Sequence, residues 1–323
     1  MNEFDLIRRY FSDMTAPRKD VVLGVGDDCA LLQVPPGSTL AVTTDTLVAG
    51  VHFFQEVAPQ DLGHKVLAVN LSDLAAMGAE PAWATLALTL PHPDAQWLSD
   101  FSHGFGELAR AHAVQLVGGD TTQGPLVITL QVLGCVPDGQ AMTRSGACVG
   151  DLVCVTGSLG DAGLALRYYH QGLPGATALP PDIRRRLERP QPRVEAGLAL
   201  RGLASAAIDI SDGLLADLGH ILEASSLGAE IQLDQVPLSE TLSRWMLAEA
   251  DWSLPLASGD DYELCFTLPP SRWGEVENLS RRLQLPIKRI GRIEATPGLR
   301  CWRKDGTLWK PQQPGYAHFA HND

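Results

Sequence analysis

Residues 39–48 read Thr39-Leu40-Ala41-Val42-Thr43-Thr44-Asp45-Thr46-Leu47-Val48. The β-branched and apolar content predicts a strand. An aspartate at the end of such a strand, among threonines, is presented by a rigid scaffold to a loop region, where ligand sites are built. The acidic pattern recurs in Gly26-Asp27-Asp28, Asn70-Leu71-Ser72-Asp73, Gly118-Gly119-Asp120-Thr121, Asp209-Ile210-Ser211-Asp212-Gly213 and Ser258-Gly259-Asp260-Asp261.

Around this strand the chain alternates irregularly. Helical spacing of apolar residues predicts helices over 3–12, 60–77 and 94–112. Further strands are predicted over 21–25, 30–34, 83–90, 114–117 (ending in Gly118-Gly119) and 126–136. Turn residues fill 137–150. A second series then follows, with strands over 152–156, 206–210, 229–236, 262–268 and 287–293. Its helices are expected over 160–171, 182–203 (broken at Pro190 and Pro192), 213–226, 239–249 and 270–283. The end, 297–323, is Pro/Gly-punctuated and aromatic. Strands adjacent in sequence with interspersed helices give an α+β class rather than strict βαβ alternation. The expected organisation is an N-terminal domain 1–137, a linker 138–150 and a C-terminal domain 151–323.

Composition narrows the function. With 323 residues, 45% of them apolar, the chain is long enough for two domains with substantial cores. A net charge of −13 disfavours nucleic acid and anionic membranes as partners. No run of about 18 apolar residues would span a bilayer. The acidic start, Met1-Asn2-Glu3-Phe4-Asp5, lacks a signal-peptide layout, so a cytoplasmic location is expected. The six cysteines form no C-x-x-C and read as reduced thiols, mostly in or near the core. There is no P-loop, no H-E-x-x-H and no G-x-S-x-G.

Each acidic segment alone has an ordinary explanation. Asp-Gly and Gly-Asp are usually turns. Asp212-Gly213 reads equally well as a helix N-cap, Asp151 as a turn residue, Asp217 as part of a solvated helix face, and Arg144 as a surface charge. Six such segments in one chain favour convergence. Two carboxylates about 4 Å apart repel by about 4 kcal/mol at an effective dielectric near 20. A cluster of Asp28, Asp45, Asp73 and Asp120 therefore demands protons or cations. Oxygen donors with threonine hydroxyls, and no paired His or Cys, favour Mg²⁺ over zinc.

The order and spacing of further runs is specific. They include Asp45-Thr46-Leu47-Val48-Ala49-Gly50-Val51-His52-Phe53, Asn70-Leu71-Ser72-Asp73-Leu74-Ala75-Ala76-Met77-Gly78-Ala79-Glu80-Pro81, Thr143-Arg144-Ser145-Gly146 and Gly259-Asp260-Asp261-Tyr262-Glu263-Leu264. Nearly end to end, the chain resembles bacterial thiamine-monophosphate kinases. They belong to the superfamily that also holds aminoimidazole ribonucleotide synthetase, selenophosphate synthetase and a hydrogenase-maturation protein. Two departures are mild: Ala49 and Asp260 stand where the family often has Glu.

The resemblance implies a two-domain α+β subunit, and homodimers whose N-terminal sheets pair into a barrel. It implies ATP-dependent phosphorylation of thiamine monophosphate with several Mg²⁺ ions. Carried over, Asp28, Thr43, Thr44, Asp45, Asp73, Asp120, Asp209 and Asp212 bind metal. Gly119, Asp120, Arg144 and Ser211 are expected at ATP, and His52, Glu263 and Tyr316 at thiamine monophosphate. Asp45, Asp73, Asp120 and Arg144 are expected to serve catalysis by positioning and charge neutralisation, with no general base. Selenophosphate synthesis would need a reactive Cys near the amino terminus, whereas the first here is Cys29. The hydrogenase-maturation role needs a carboxy-terminal Cys, whereas this sequence ends His321-Asn322-Asp323. A synthetase of the aminoimidazole ribonucleotide type, a metal-dependent phosphatase and a non-catalytic Mg²⁺-nucleotide sensor are the alternatives.

Overall fold

A computed structural model describes residues 3–12, 14–170, 179–310 and 315. The chain divides into two compact units. The first comprises residues 1–74, 79–141 and 188–192; the second comprises 75–78, 142–187 and 193–323.

The first unit contains α1 (Glu3–Tyr10), β1 (Val21–Leu23), β2 (Leu31–Leu32), β3 (Ser38–Val48), most of α2 (Pro59–Ala76), β4 (Glu80–Leu90), α3 (Ala95–Ala111), β5 (Gln115–Gln123) and β6 (Val127–Pro137). Four strands form a sheet in the order β3-β6-β4-β5. Pairing is antiparallel except between β4 and β5, which α3 connects in parallel. Asp94 caps α3 by accepting the Trp97 N–H at 2.8 Å. Leu98, Phe101, Phe105 and Leu108 then recur on its buried face. Helix α2 is buried almost all round, so Lys65 and Asn70 are buried with its leucines and valines. The neighbouring helix comes very close: a Cβ on Gly104 would lie 1.8 Å from the Gln60 carbonyl oxygen. On the outer face of the sheet, Val21, Ala30 and Leu32 pack on Trp83, Val117 and Ala82. The outward residues Leu40 and Val42 of β3 remain 39% and 53% exposed.

The second unit contains β7 (Leu152–Thr156), α4 (Asp161–His170), α5 (Pro181–Glu188, of which Glu188 belongs to the first unit), α6 (Val194–Leu200), β8 (Ala206–Asp209), α7 (Leu214–Ser225), β9 (Gly228–Gln232), α8 (Glu240–Glu249), α9 (Ser253–Ala257), β10 (Leu264–Leu268), α10 (Trp273–Leu283), β11 (Ile287–Glu294), β12 (Gly298–Trp302) and β13 (Leu308–Trp309). Its seven-stranded sheet has the order β13-β12-β9-β11-β7-β10-β8. Strands β7 and β10 are buried along their whole length. Helix α7 contributes Leu214, Leu215, Leu218, Ile221 and Leu222 to the core beneath the sheet.

Several expectations change in detail. Strand β5 does not stop before Gly118-Gly119 but runs through both glycines to Gln123. The strand expected over 229–236 ends at Gln232 and turns into a 3-10 helix, Leu233–Gln235. The Pro/Gly-punctuated end contains β12 and β13, which extend the large sheet at its edge. Three of the six cysteines are buried and all six are free thiols. No described helix is long and apolar enough to cross a membrane.

Candidate functional site

In the first unit the pleat of β3 sorts the polar residues. Thr43 and Asp45 pair with Val132 and Leu130 of β6, both buried, and share the inner face with them. Thr44 pairs with Gln131, lies on the other face, and accepts a hydrogen bond from its Nε2 at 3.3 Å. Alternation thus separates the Thr44 side chain from its two neighbours. Asp73, in the last turns of α2, accepts a short hydrogen bond from the Thr43 hydroxyl. Its charge also acts on Asp45. Burial first, and the negative charge of Asp73 second, push the Asp45 carboxyl up to about 7. Asn70, three residues before Asp73, is fully buried. Its Nδ2 donates to the Val66 carbonyl at 3.2 Å, and its Oδ1 has no partner.

Asp28 and Asp120 are both exposed. The Asp28 N–H donates to Asp27 Oδ1 at 2.9 Å in the loop after β1. Asp120 lies on the edge strand β5, paired with Ala87. It follows Gly119, whose φ is +150°. A Cβ on Gly119 would lie 1.9 Å from the Leu86 carbonyl oxygen, so only glycine fits. His52 closes the turn after β3: its Nδ1 accepts the Val48 N–H at 3.0 Å.

Among the described residues no three acidic, histidine or cysteine side chains gather closely enough to hold an ion unaided. The donors present nonetheless fit Mg²⁺. This ion takes one or two carboxylates and fills its octahedron with water and substrate phosphates. Asp45, Asp73 and Thr43 offer two carboxylates and a hydroxyl, and a cation would offset both the burial and the Asp73 charge that push the Asp45 carboxyl up.

In the second unit, Asp209 ends β8 and is 5% exposed. Ser211 and Asp212 follow in a loop that leads into α7. Asp217, expected on a solvated face, is instead 3% exposed. Its Oδ2 accepts the N–H groups of Ser211, Asp212 and Gly213, each at 3.1 Å. Burial and then the charge of Asp212 push the Asp217 carboxyl up to about 7, against the pull of those three donors. The signal was available: in Leu214-Leu215-Ala216-Asp217-Leu218 a lone acid sits in an apolar run whose leucines are all buried.

The Glu263 carboxylate is completely buried. Arg193, Arg186 and Thr156 donate to it, so its oxygens serve protein groups. Arg186 also lies 3.8 Å from Asp161. Nearby, Asp261 Oδ1 accepts the Gly160 N–H at 2.9 Å, and burial pushes this carboxyl well up. Sequence reasoning missed both arginines. Arg144 is exposed in a segment tied to β8 by the Ala207 N–H bonded to the Thr143 carbonyl at 2.9 Å. Tyr316 lies outside the described residues.

Comparison with known proteins identifies the family. Residues 26–136 match the family "AIR synthase related protein, N-terminal domain", and residues 149–304 match the corresponding C-terminal domain. A thiamine-monophosphate kinase of Escherichia coli O157:H7 is 50% identical over 320 residues, covering 98% of each chain. The crystal structure of thiamine-monophosphate kinase from Stenotrophomonas maltophilia K279a superposes with a TM-score of 0.87 at 46% identity, covering 95% of this chain and 97% of that one. AaThiL, solved with AMPPCP and TMP, superposes with a TM-score of 0.78 at 30% identity, covering 91% and 92%. On identity, coverage and fold together, the chain belongs to the thiamine-monophosphate kinase family.

Proposed function

We propose that this chain transfers the γ-phosphoryl group of ATP to the phosphate of thiamine monophosphate, giving thiamine diphosphate and ADP. The observation that carries the reading is 50% identity across 98% of a thiamine-monophosphate kinase. The Asp45–Asp73–Thr43 group, an oxygen set suited to Mg²⁺, supports it from the geometry.

The acceptor is already an ionised phosphate oxygen, so no side chain needs to remove a proton from it. The barrier is alignment and the repulsion of two polyanions. Bound Mg²⁺ supplies charge neutralisation on the phosphates. The residues proposed to hold it are Asp28, Thr43, Asp45, Asp73 and Asp120 of the first unit and Asp209 and Asp212 of the second. The side chain of Thr44 cannot join Thr43 and Asp45 without reversing the pleat, which leaves only its backbone. Gly119, Asp120, Arg144 and Ser211 are proposed to contact ATP, Arg144 through its planar donor set. His52 and Tyr316 are proposed for thiamine monophosphate. Glu263 would act there indirectly, by fixing Arg193 and Arg186. A homodimer built on the outer face of the β3-β6-β4-β5 sheet would cover the exposed Leu40 and Val42. Six free thiols suit a reducing cytoplasm.

The test is a steady-state assay with Mg²⁺-ATP and thiamine monophosphate that follows thiamine diphosphate and ADP together, with Asp120→Asn as control. Equal yields of the two products, lost in the variant, support the reading. Release of inorganic phosphate without thiamine diphosphate would make the protein a phosphatase. Nucleotide binding with no turnover would make it a sensor.

A further inference from the structure

We infer that Asp217 is a positioning residue for this reaction: one buried carboxylate oxygen locks the loop that presents Ser211 and Asp212. The inference rests on the proposed kinase reading for the loop's role, but its structural half stands independently. Three successive backbone N–H groups at the start of a helix form a cradle for an anion, the arrangement that proteins often offer to phosphate. Here the cradle is filled from within. Oδ2 of Asp217, one turn into α7, takes all three donors, of Ser211, Asp212 and Gly213, at 3.1 Å. These amides are therefore committed, and the loop meets nucleotide or metal through its side chains.

The carbonyl side of the same loop is committed as well. The Ser211 carbonyl accepts the Asp260 N–H at 2.8 Å, and the Ile210 carbonyl accepts the Tyr262 N–H at 2.8 Å. Both donors sit on non-glycine residues in the left-handed region, Asp260 at φ +60° and Tyr262 at φ +50°. Such conformations are costly and persist where the surroundings over-determine them. The loop is thus held by a carboxylate on one side and by a segment with two left-handed residues on the other. Without Asp217, three successive donors, that of buried Gly213 among them, lose their acceptor while the hydrophobic packing of α7 stays in place.

The experiment compares wild type, Asp217→Ala and Asp217→Asn by amide hydrogen exchange and by steady-state kinetics. Wild-type turnover of thiamine monophosphate tests the kinase reading first, and amide exchange tests the lock even if that turnover is absent. In D217A, the amides of 211–213 should lose protection at least tenfold while those of β8 and the middle of α7 keep theirs. KM for Mg²⁺-ATP should rise about tenfold, with KM for thiamine monophosphate within twofold. D217N, which keeps one acceptor oxygen, should recover most of both losses. Unchanged protection at 211–213 in D217A would overturn the lock, and lost protection with unchanged kinetics would overturn the positioning role. If D217A does not fold, D217N decides: protection and KM near wild type support the inference, and a folded D217N as impaired in KM as Asp212→Ala overturns it.

Discussion

Arg193 grips Glu263 with two hydrogen bonds, Nε to Oε2 at 2.6 Å and Nη2 to Oε1 at 2.5 Å, at a carboxylate with no solvent exposure. Arg186 adds a third bond at 2.8 Å and the Thr156 hydroxyl a fourth at 2.7 Å. Burial alone would raise this carboxyl's pKa, but Arg193 and then Arg186 win and hold it below the ordinary range. The group is thus more acidic folded than unfolded. Its contribution to stability is present above the unfolded pKa of about 4.3 and is lost as pH falls through the folded value. Glu263→Gln should cost about 3–5 kcal/mol at pH 7 by leaving two part-buried arginines without their carboxylate. The gap to wild type should hold down to about pH 4.3 and narrow below it, as pH falls toward the folded value. Urea unfolding across that range measures it, and a gap independent of pH would refute the assignment.

The Asp45–Asp73 pair makes a different prediction, because removing one charge should help the metal-free protein. Asp73→Asn should melt at or above the wild-type temperature in EDTA. Wild type should gain stability with millimolar Mg²⁺-ATP by linkage, and the variant should not. Turnover should fall by about 10²-fold or more, in line with the loss of a preorganised electrostatic group. A variant still stabilised by Mg²⁺-ATP would move the metal away from these two residues.

Gly119→Ala should disrupt the β4–β5 pairing, since the new methyl would sit 1.9 Å from the Leu86 carbonyl oxygen. A loss of at least about 1–3 kcal/mol is expected from the strained backbone alone. Denaturant unfolding gives the number, and amide exchange along Gln115–Gln123 should localise it.

Val42→Asp places a charge on the outer face of the first sheet, at a side chain now 53% exposed. In a monomer this should be nearly neutral. If that face is the dimer interface, the variant should become monomeric in light scattering at unchanged helix content. Wild type that is already monomeric would remove the dimer from the proposal.

How far the sequence spoke for itself differed from element to element. Strand β3 was legible because β-branched residues mark it, and its alternation already separated Thr44 from Thr43 and Asp45. Strand β5 reads short in the sequence because two glycines resemble a turn; at Gly119 a neighbouring backbone is too close for any side chain. Strands β12 and β13 are masked in the sequence by the Pro and Gly residues that flank them, although only β13 lies at the sheet edge. The burial of Asp217 is signalled by the apolar run around it, but its partners are main-chain amides, which no residue pattern displays. Arg186 and Arg193 lie 77 and 70 positions from Glu263, so their meeting is a product of the tertiary fold.

The pleat of β3 also bears on how this sequence can change over time. Its eleven residues pair one for one with β6. Deleting or inserting a single residue before Thr43 would send Asp45 to the outer surface and bring Thr44 inward, while every backbone rung of the ladder could still form. Such a lineage would keep a sound sheet and lose its chemistry in one step. Length changes in the loop before β3 are harmless, but within the strand they can be accommodated only in pairs.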